Sequence, residues 1–314
     1  MKALVTGAAG FIGSTLAERL VAEGADVLGI DSFTDYYPRA DKERNVAGVA
    51  RHPRFRLLDA RLQDADLKPL LRDRTHVFHL AAQAGVRKSW GADFGVYVRD
   101  NIEATQVLLE ACVGQPLERF VYASSSSVYG DTAAMPMRED ALPQPVSPYG
   151  VSKLAAEQLC HLYSVNNGVP TVALRYFTVY GPRQRPDMGF YRFLRATLRG
   201  EPVIVYGDGE QTRDFTFVDD AVSATLAAAA LGVVGRVYNI GGGSRVSIDH
   251  VLDLIGSVTG RRPAVSLDAK QKGDMRHTLA DTTRAGADLG FTPLVGLEEG
   301  LAAEYRWLAA HLQP

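Results

Sequence analysis

The chain has 314 residues, of which 46% are hydrophobic and 22% charged, and a formal net charge of −2. That length supports one large or two modest domains with full cores. The charge balance excludes a general nucleic-acid field, and no apolar run approaches the ~20 residues of a membrane span.

Residues 3–6 form a short apolar strand that the N-terminus enters directly, with no signal-peptide pattern, so a reducing cytoplasm is the expected compartment. Gly7, Gly10 and Gly13 follow with G-x-x-G-x-x-G spacing, and 14–23 reads as helix. Strand, glycine turn and helix are the context of a dinucleotide fingerprint. The glycines let the backbone approach a pyrophosphate, and the helix N-terminus attracts its charge. A second strand, 26–30, ends at Asp31, 18 positions after Gly13. A carboxylate there suits ribose hydroxyls and repels a 2′-phosphate, which favours NAD over NADP.

Residues 55–58 and 75–80 are further strands, the first ending at Asp59 and the second running into the small residues Ala81, Ala82, Ala84 and Gly85. A long helix is predicted over 97–112, and a fifth strand, 119–123, leads into the serines 124–127. Serines at the carboxyl end of a strand sit where open parallel sheets bind ligands. Cys112 and Cys160 fall in predicted helices and read as buried thiols, not as a disulfide or metal framework.

Tyr149 and Lys153 are four residues apart at the start of a predicted helix with Ser147 as its cap and Pro148 in its first turn. That spacing places both on one face. A lysine ammonium one turn away is expected to favour the phenolate and let the tyrosine take a proton from a hydroxyl. Beyond the strand at 171–175, Pro182, Pro186 and nearby glycines break the alternation, and a smaller lobe begins. Within it, 190–198, 247–259 and 297–312 read as helices and 203–205 and 237–240 as strands. Alternating strands and helices predict an α/β fold: a Rossmann-type doubly wound parallel sheet over residues 1–175. Residues 176–314 form a smaller α/β substrate lobe, with some segments returning to the first domain.

Gly7 to Gly13, Asp31, the run 124–130 and the Tyr149/Lys153 pair occur together and in order. Together they resemble the extended short-chain dehydrogenase/reductase family of nucleotide-sugar enzymes, over essentially the whole chain. The resemblance implies Ser125, Tyr149 and Lys153 as the catalytic trio, with Ser125 five positions before Gly130. It implies bound NAD, held by Gly7, Gly10, Phe11, Ile12, Gly13, Asp31, Asp59, Ala60, Leu80, Ala81, Ala82 and Tyr176 besides Tyr149 and Lys153. Asp59 matches the family's adenine-contacting Asp, although Ala60 follows it where Ile or Val is usual.

Three stretches, 31–37 (DSFTDYY), 81–87 (AAQAGVR) and 175–182 (RYFTVYGP), together with Arg185-Pro186-Asp187-Met188, resemble UDP-glucuronate 4-epimerases. UDP-glucose 4-epimerases and UDP-glucuronate decarboxylases, the alternatives on this scaffold, usually carry Asn at the position of Thr178. Decarboxylases and dehydratases carry Glu at Ser127, and dehydratases carry Asp at Ser126. The UDP-sugar is expected on Arg87, Ser126, Ser127, Thr178, Arg185, Arg213 and Asp274: Arg185 for the uronate carboxylate, which a guanidinium grips in a bidentate way, Arg213 for the diphosphate and Asp274 for a uridine ribose hydroxyl. It also implies a homodimer through the helices holding Asn101 and 149–166. Arg183-Gln184 departs from the Trp-Gly common between the family's Pro and Arg.

Overall fold

The computed structural model describes residues 1–131 and 134–312. In chain order the long strands are β1 (Lys2–Thr6), β2 (Asp26–Asp31), β3 (Phe55–Asp59), β4 (His76–His79), β5 (Arg119–Ser125) and β6 (Thr171–Tyr176). Shorter ones follow: β7 (Val179–Tyr180), β8 (Val203–Tyr206), β9 (Thr212–Asp214), β10 (Thr216–Phe217), β11 (Val237–Ile240), β12 (Arg245–Ser247) and β13 (Val265–Asp268).

A seven-stranded parallel sheet in the order β11-β6-β5-β4-β1-β2-β3 forms the centre. The chain winds outward one way from β1 to β3 and the other way through β4, so the order reverses between β1 and β4. Strand side chains alternate between the two faces: Ala3 and Val5 of β1 enter one buried cluster and Leu4 enters the other. Helices such as Phe11–Ala22 and Val218–Leu231 cover the first face, and Ala104–Cys112 and Pro148–Asn167 the second. Both faces are thereby dry, as a parallel sheet requires.

The register brings the carboxyl ends of the strands level. Thr6 lies opposite Ile30 and His79, Asp31 opposite Asp59, and Ser125 opposite Tyr176. Polar residues at these ends therefore share one rim. Above it sits a lobe built from three two-stranded sheets, β7 with β10, β9 with β12, and β8 with β13. The seventh strand of the main sheet, β11, comes from beyond residue 176 and pairs with β6.

The segment expected as one helix over 97–112 is three pieces. A short α-helix, Phe94–Tyr97, passes into π-helical turns at Val98–Glu103 and then into Ala104–Cys112. Widened turns of this kind recur at functional sites. Here they carry Asn101, whose amide faces inward on the rim.

Candidate active site

A cleft of about 780 Å³ runs along the rim between the sheet and the lobe. Ten lysines and arginines and five aspartates line it, in a chain whose formal net charge is −2. The positive field of the cleft is thus local and suits polyanionic ligands.

At one end lies the glycine turn. Gly7 has φ +70°, and a Cβ on Gly13 would strike the Gly7 carbonyl, so the turn can only be this tight with glycine. Gly10, the N-cap of helix Phe11–Ala22, offers no side chain to the first N–H groups. Those donors face the cleft beside Phe11, Ile12 and Gly13, a ready site for a pyrophosphate. Asp31 is fixed close by: one carboxylate oxygen accepts from the Ala9 N–H at 3.0 Å and the other from the Phe33 N–H at 2.9 Å. Ala60, Leu80, Ala81 and Ala82 complete the wall, and Tyr176 lines it while its hydroxyl bonds Thr225 Oγ1 at 2.6 Å. These groups fit a dinucleotide. Asp59 is half exposed and pairs with Arg39 at 2.7 Å.

The reacting end is built by two glycine- and serine-shaped contacts. Ser147 Oγ accepts from the Gly150 N–H at 3.1 Å and caps helix Pro148–Asn167. A Cβ on Gly150 would strike the Ser127 carbonyl, so this glycine lets the helix press against the short turn Ser126–Val128. Ser125 Oγ caps that turn by accepting from the Ser127 N–H at 3.1 Å. Ser125 and Tyr149 thereby meet, and the serine hydroxyl bears on the phenol.

Burial pushes the Tyr149 phenol above its ordinary value; Ser125 and then Arg185 oppose this, and Asp187 adds to it. The expected depression by Lys153 is therefore not what the protein's own groups produce. Lys153 is itself fully enclosed, its ammonium 4.5 Å above the Tyr122 ring, and burial brings its pKa down to about 8. Desolvation outweighs the attraction of a single neighbouring charge for both groups.

A buried network holds this helix. Asn101 accepts from the Gln83 N–H at 2.6 Å and donates to Ser152 Oγ at 2.8 Å, and Ser152 donates to the Tyr149 carbonyl at 2.8 Å. Below it, Ser124 Oγ donates to Glu157 at 2.6 Å, and Glu157 forms a buried pair with Arg175 at 2.6 Å. Sequence reading missed Glu157, since one acidic residue on an amphipathic helix carries no mark of burial.

On the lobe side, Ser126, Ser127, Thr178, Arg87, Arg185, Arg213 and Asp274 all line the cleft. Three of them are not free as expected. Arg87 pairs with Asp274 at 2.8 Å and lies 4.1 Å over the Tyr206 ring. The Arg185 guanidinium is gripped through Nε and Nη2 by the two oxygens of Asp187, each at 3.0 Å. Arg213 donates only to the Thr212 and Arg276 carbonyls, at 2.9 and 3.1 Å, so its charge has no direct carboxylate partner among the described residues. Arg192 also lines the cleft, its guanidinium 5.2 Å from the Tyr206 ring centre. It escaped the sequence reading because a helix arginine looks like ordinary surface charge.

Comparison with known proteins agrees with this architecture. Residues 3–241 match the NAD dependent epimerase/dehydratase family. An uncharacterised UDP-glucose epimerase of Bacillus subtilis is 43% identical, covering 100% of this chain and 99% of that one. A probable UDP-glucuronate 4-epimerase of Rhizobium meliloti is 34% identical over 98% of this chain and 96% of its own. The solved UDP-glucuronic acid 4-epimerase of Bacillus cereus, in complex with UDP-glucuronic acid and NAD, superposes with a TM-score of 0.97 at 44% identity, covering 99% of this chain and 100% of that one. With the glycine turn, the serine turn and the Tyr149/Lys153 helix meeting on one parallel-sheet rim, the chain belongs to the NAD dependent epimerase/dehydratase family.

Proposed function

We propose that the protein is a UDP-glucuronate 4-epimerase that keeps NAD bound and interconverts UDP-glucuronate and UDP-galacturonate through a 4-keto sugar. One observation carries the reading. Ser125, Tyr149 and Arg185 line the same cleft, so a carboxylate anchor and a proton acceptor share one site. The relatives whose names print that activity, and the UDP-glucuronic acid and NAD bound to one of them, support it.

NAD, when bound, supplies reversible acceptance of a hydride at sugar C4. The chain's residues do the rest. Tyr149 takes the proton of the C4 hydroxyl and returns one after the sugar has turned its other face. Ser125 donates a hydrogen bond to the reacting oxygen, and Lys153 holds the cofactor ribose. Gly7, Gly10, Gly13 and Asp31 hold the dinucleotide. Arg213 faces the diphosphate, and Thr178 with the Ser126–Ser127 turn borders the sugar.

A 4-keto uronate is a β-keto acid, which loses carbon dioxide when its carboxylate stands perpendicular to the ketone plane. An epimerase must hold that carboxylate elsewhere. Arg185 is suited to the task because a guanidinium grips carboxylate in a planar, bidentate way. Ser126, where dehydratases carry Asp, supplies no acid for water elimination, and Ser127 stands where lyases carry Glu.

The functional unit in this reading is a homodimer. Val151, Leu162 and Val165 are 45%, 50% and 69% exposed and fall on one side of helix Pro148–Asn167. No described helix is long and apolar enough to cross a membrane. The dinucleotide domain is residues 1–175 with helix Val218–Leu231 and β11, and the remainder is mainly the substrate lobe.

The test is incubation of the purified protein with UDP-glucuronate, without added NAD, followed by proton NMR. A lasting mixture of UDP-glucuronate and UDP-galacturonate is expected. A pentose nucleotide with carbon dioxide would mean decarboxylation and would overturn the reading.

A further inference from the structure

The stretch 31–37 holds two tyrosines that the cofactor site does not use. Tyr36 leaves the cofactor side of the cleft and donates its hydroxyl to Asp187 Oδ2 at 3.1 Å. Asp187 in turn grips Arg185 through Nε and Nη2. The three residues thus span the cleft, from the loop that follows Asp31 at the end of β2 to the substrate-side loop at 181–188.

The shape of the opposite wall is fitted to this arrangement. Gly85 has φ +103°, and a Cβ there would strike the Tyr36 hydroxyl oxygen. The turn at 84–85 is itself tied to the reacting end. Tyr97 donates to the Gly85 carbonyl at 2.7 Å, and its ring meets Tyr149 edge-on at 6.2 Å between centroids. Tyr36 is therefore seated between this turn and Asp187 and is not loose on the surface.

A guanidinium has five N–H donors in one plane. Asp187 uses one on Nε and one on Nη2. Both Nη1 donors and the second Nη2 donor remain, and Nη1 has no partner among the described residues. The open edge is the one bounded by Nη1 and Nη2, and it can take a second carboxylate in the same bidentate manner. An arginine held on one edge gives up less conformational freedom on binding than one that must be ordered by its ligand.

We infer that Tyr36 and Asp187 are positioning residues for uronate recognition: Tyr36 fixes Asp187, and Asp187 turns the free edge of Arg185 toward the sugar carboxylate. The inference rests on the assignment of Arg185 to the uronate. It accounts for the tyrosine of the 31–37 stretch and for the pairing that keeps Arg185 from standing alone. A sugar with a neutral hydroxymethyl group at the same place gains nothing from the oriented edge, so the relay acts on selectivity and not on the shared nucleotide contacts.

The test compares holoenzymes carrying Tyr36→Phe and Asp187→Asn with the wild type. Calorimetry gives Kd for UDP-glucuronate and for UDP-glucose, and absorbance gives NAD content. Tyr36→Phe is expected to lower the preference for UDP-glucuronate about fivefold, and Asp187→Asn about tenfold or more, the scale of a hydrogen bond to a charged group. NAD content and Kd for UDP-glucose are expected to hold. Equal loss of affinity for both ligands would mean a merely structural role and overturn the relay. Tighter uronate binding by Asp187→Asn would make Asp187 a competitor of the substrate and overturn it as well. A wild type without preference for UDP-glucuronate would overturn the Arg185 assignment and the relay with it, an outcome distinct from the other two.

Discussion

The Arg183 guanidinium lies 2.6 Å from the Glu18 carboxylate and so ties the substrate-side loop to the helix that follows the glycine turn. The pair occupies the place where the sequence departs from the Trp-Gly common in the resembled family. Arg183 holds φ +72°, a left-handed conformation that an L side chain enters at a cost. Two opposed effects meet at this residue. Arg183→Ala loses the ion pair and keeps the strain, whereas Arg183→Gly loses the pair and relieves the strain. The glycine variant is expected to be about 1 kcal/mol more stable than the alanine variant. Glu18→Gln is expected to lower stability by up to about 1 kcal/mol, the range of partly exposed pairs. Urea unfolding checks both, and a glycine variant no more stable than the alanine one would contradict the account.

Asn101 is the knot of the rim. Its amide serves the Gln83 backbone and Ser152, and these groups have little access to water. Asn101→Ala leaves the Gln83 N–H and carbonyl unpaired. The expected loss of stability is about 2–3 kcal/mol, measured by denaturant unfolding, because each buried orphan costs roughly 1–3 kcal/mol. An unchanged midpoint would show that water replaces the amide.

His79 sets a pH dependence. It lies between Thr6 and Thr105, with ring nitrogens 2.7 Å and 2.9 Å from their hydroxyls. Thr105 donates to the Asn101 carbonyl at 2.6 Å, so it accepts the Nε2–H of His79, and Nδ1 accepts from Thr6. The ring is neutral, and burial, assisted by the Lys153 charge, takes its pKa down to about 3. In the unfolded chain the value returns to about 6.5. Between those values the unfolded state binds one more proton, so stability falls as pH falls. The slope from this residue is about 1.4 kcal/mol per pH unit below 6.5. Asp214 works in the opposite direction, since burial raises its carboxyl to about 6. The check is therefore a difference: His79→Gln should lose about 2 kcal/mol less than wild type between pH 7.5 and pH 5. Parallel losses would contradict the neutral, buried assignment.

Tyr149 is the proton acceptor in this account. Tyr149→Phe is expected to lower kcat by about 10² to 10⁴, with NAD content unchanged. Turnover near wild type would remove Tyr149 from the chemistry.

Much of the fold and of the rim was legible in the sequence because periodicity is local. The alternation of apolar strands with helices, the glycine turn, and the Ser147-Pro148 start of the Tyr149 helix each declare themselves within a few residues. The helix Val218–Leu231 and, apart from the strand at 203–205, the small strands of the lobe were not read. The helix is alanine-rich and buried on several sides, so it lacks a polar face, and strands of two to four residues carry too short a period to read. Pairings were illegible for another reason. That Arg87 would meet Asp274 and Asp59 would meet Arg39 depends on chain path across 187 and 20 residues, and that Arg185 would meet Asp187, two residues on, depends on the conformation of an irregular loop. The raised Tyr149 phenol belongs to the same class, since burial is a property of the fold and not of a four-residue spacing.

In the proposed reaction, C4 is oxidised and then reduced by the same hydride within one active site. This is tested most directly with UDP-glucuronate carrying deuterium at C4, incubated with the holoenzyme in ordinary water and followed by NMR. The account predicts UDP-galacturonate that keeps its deuterium at C4. Loss of that deuterium to solvent would contradict it.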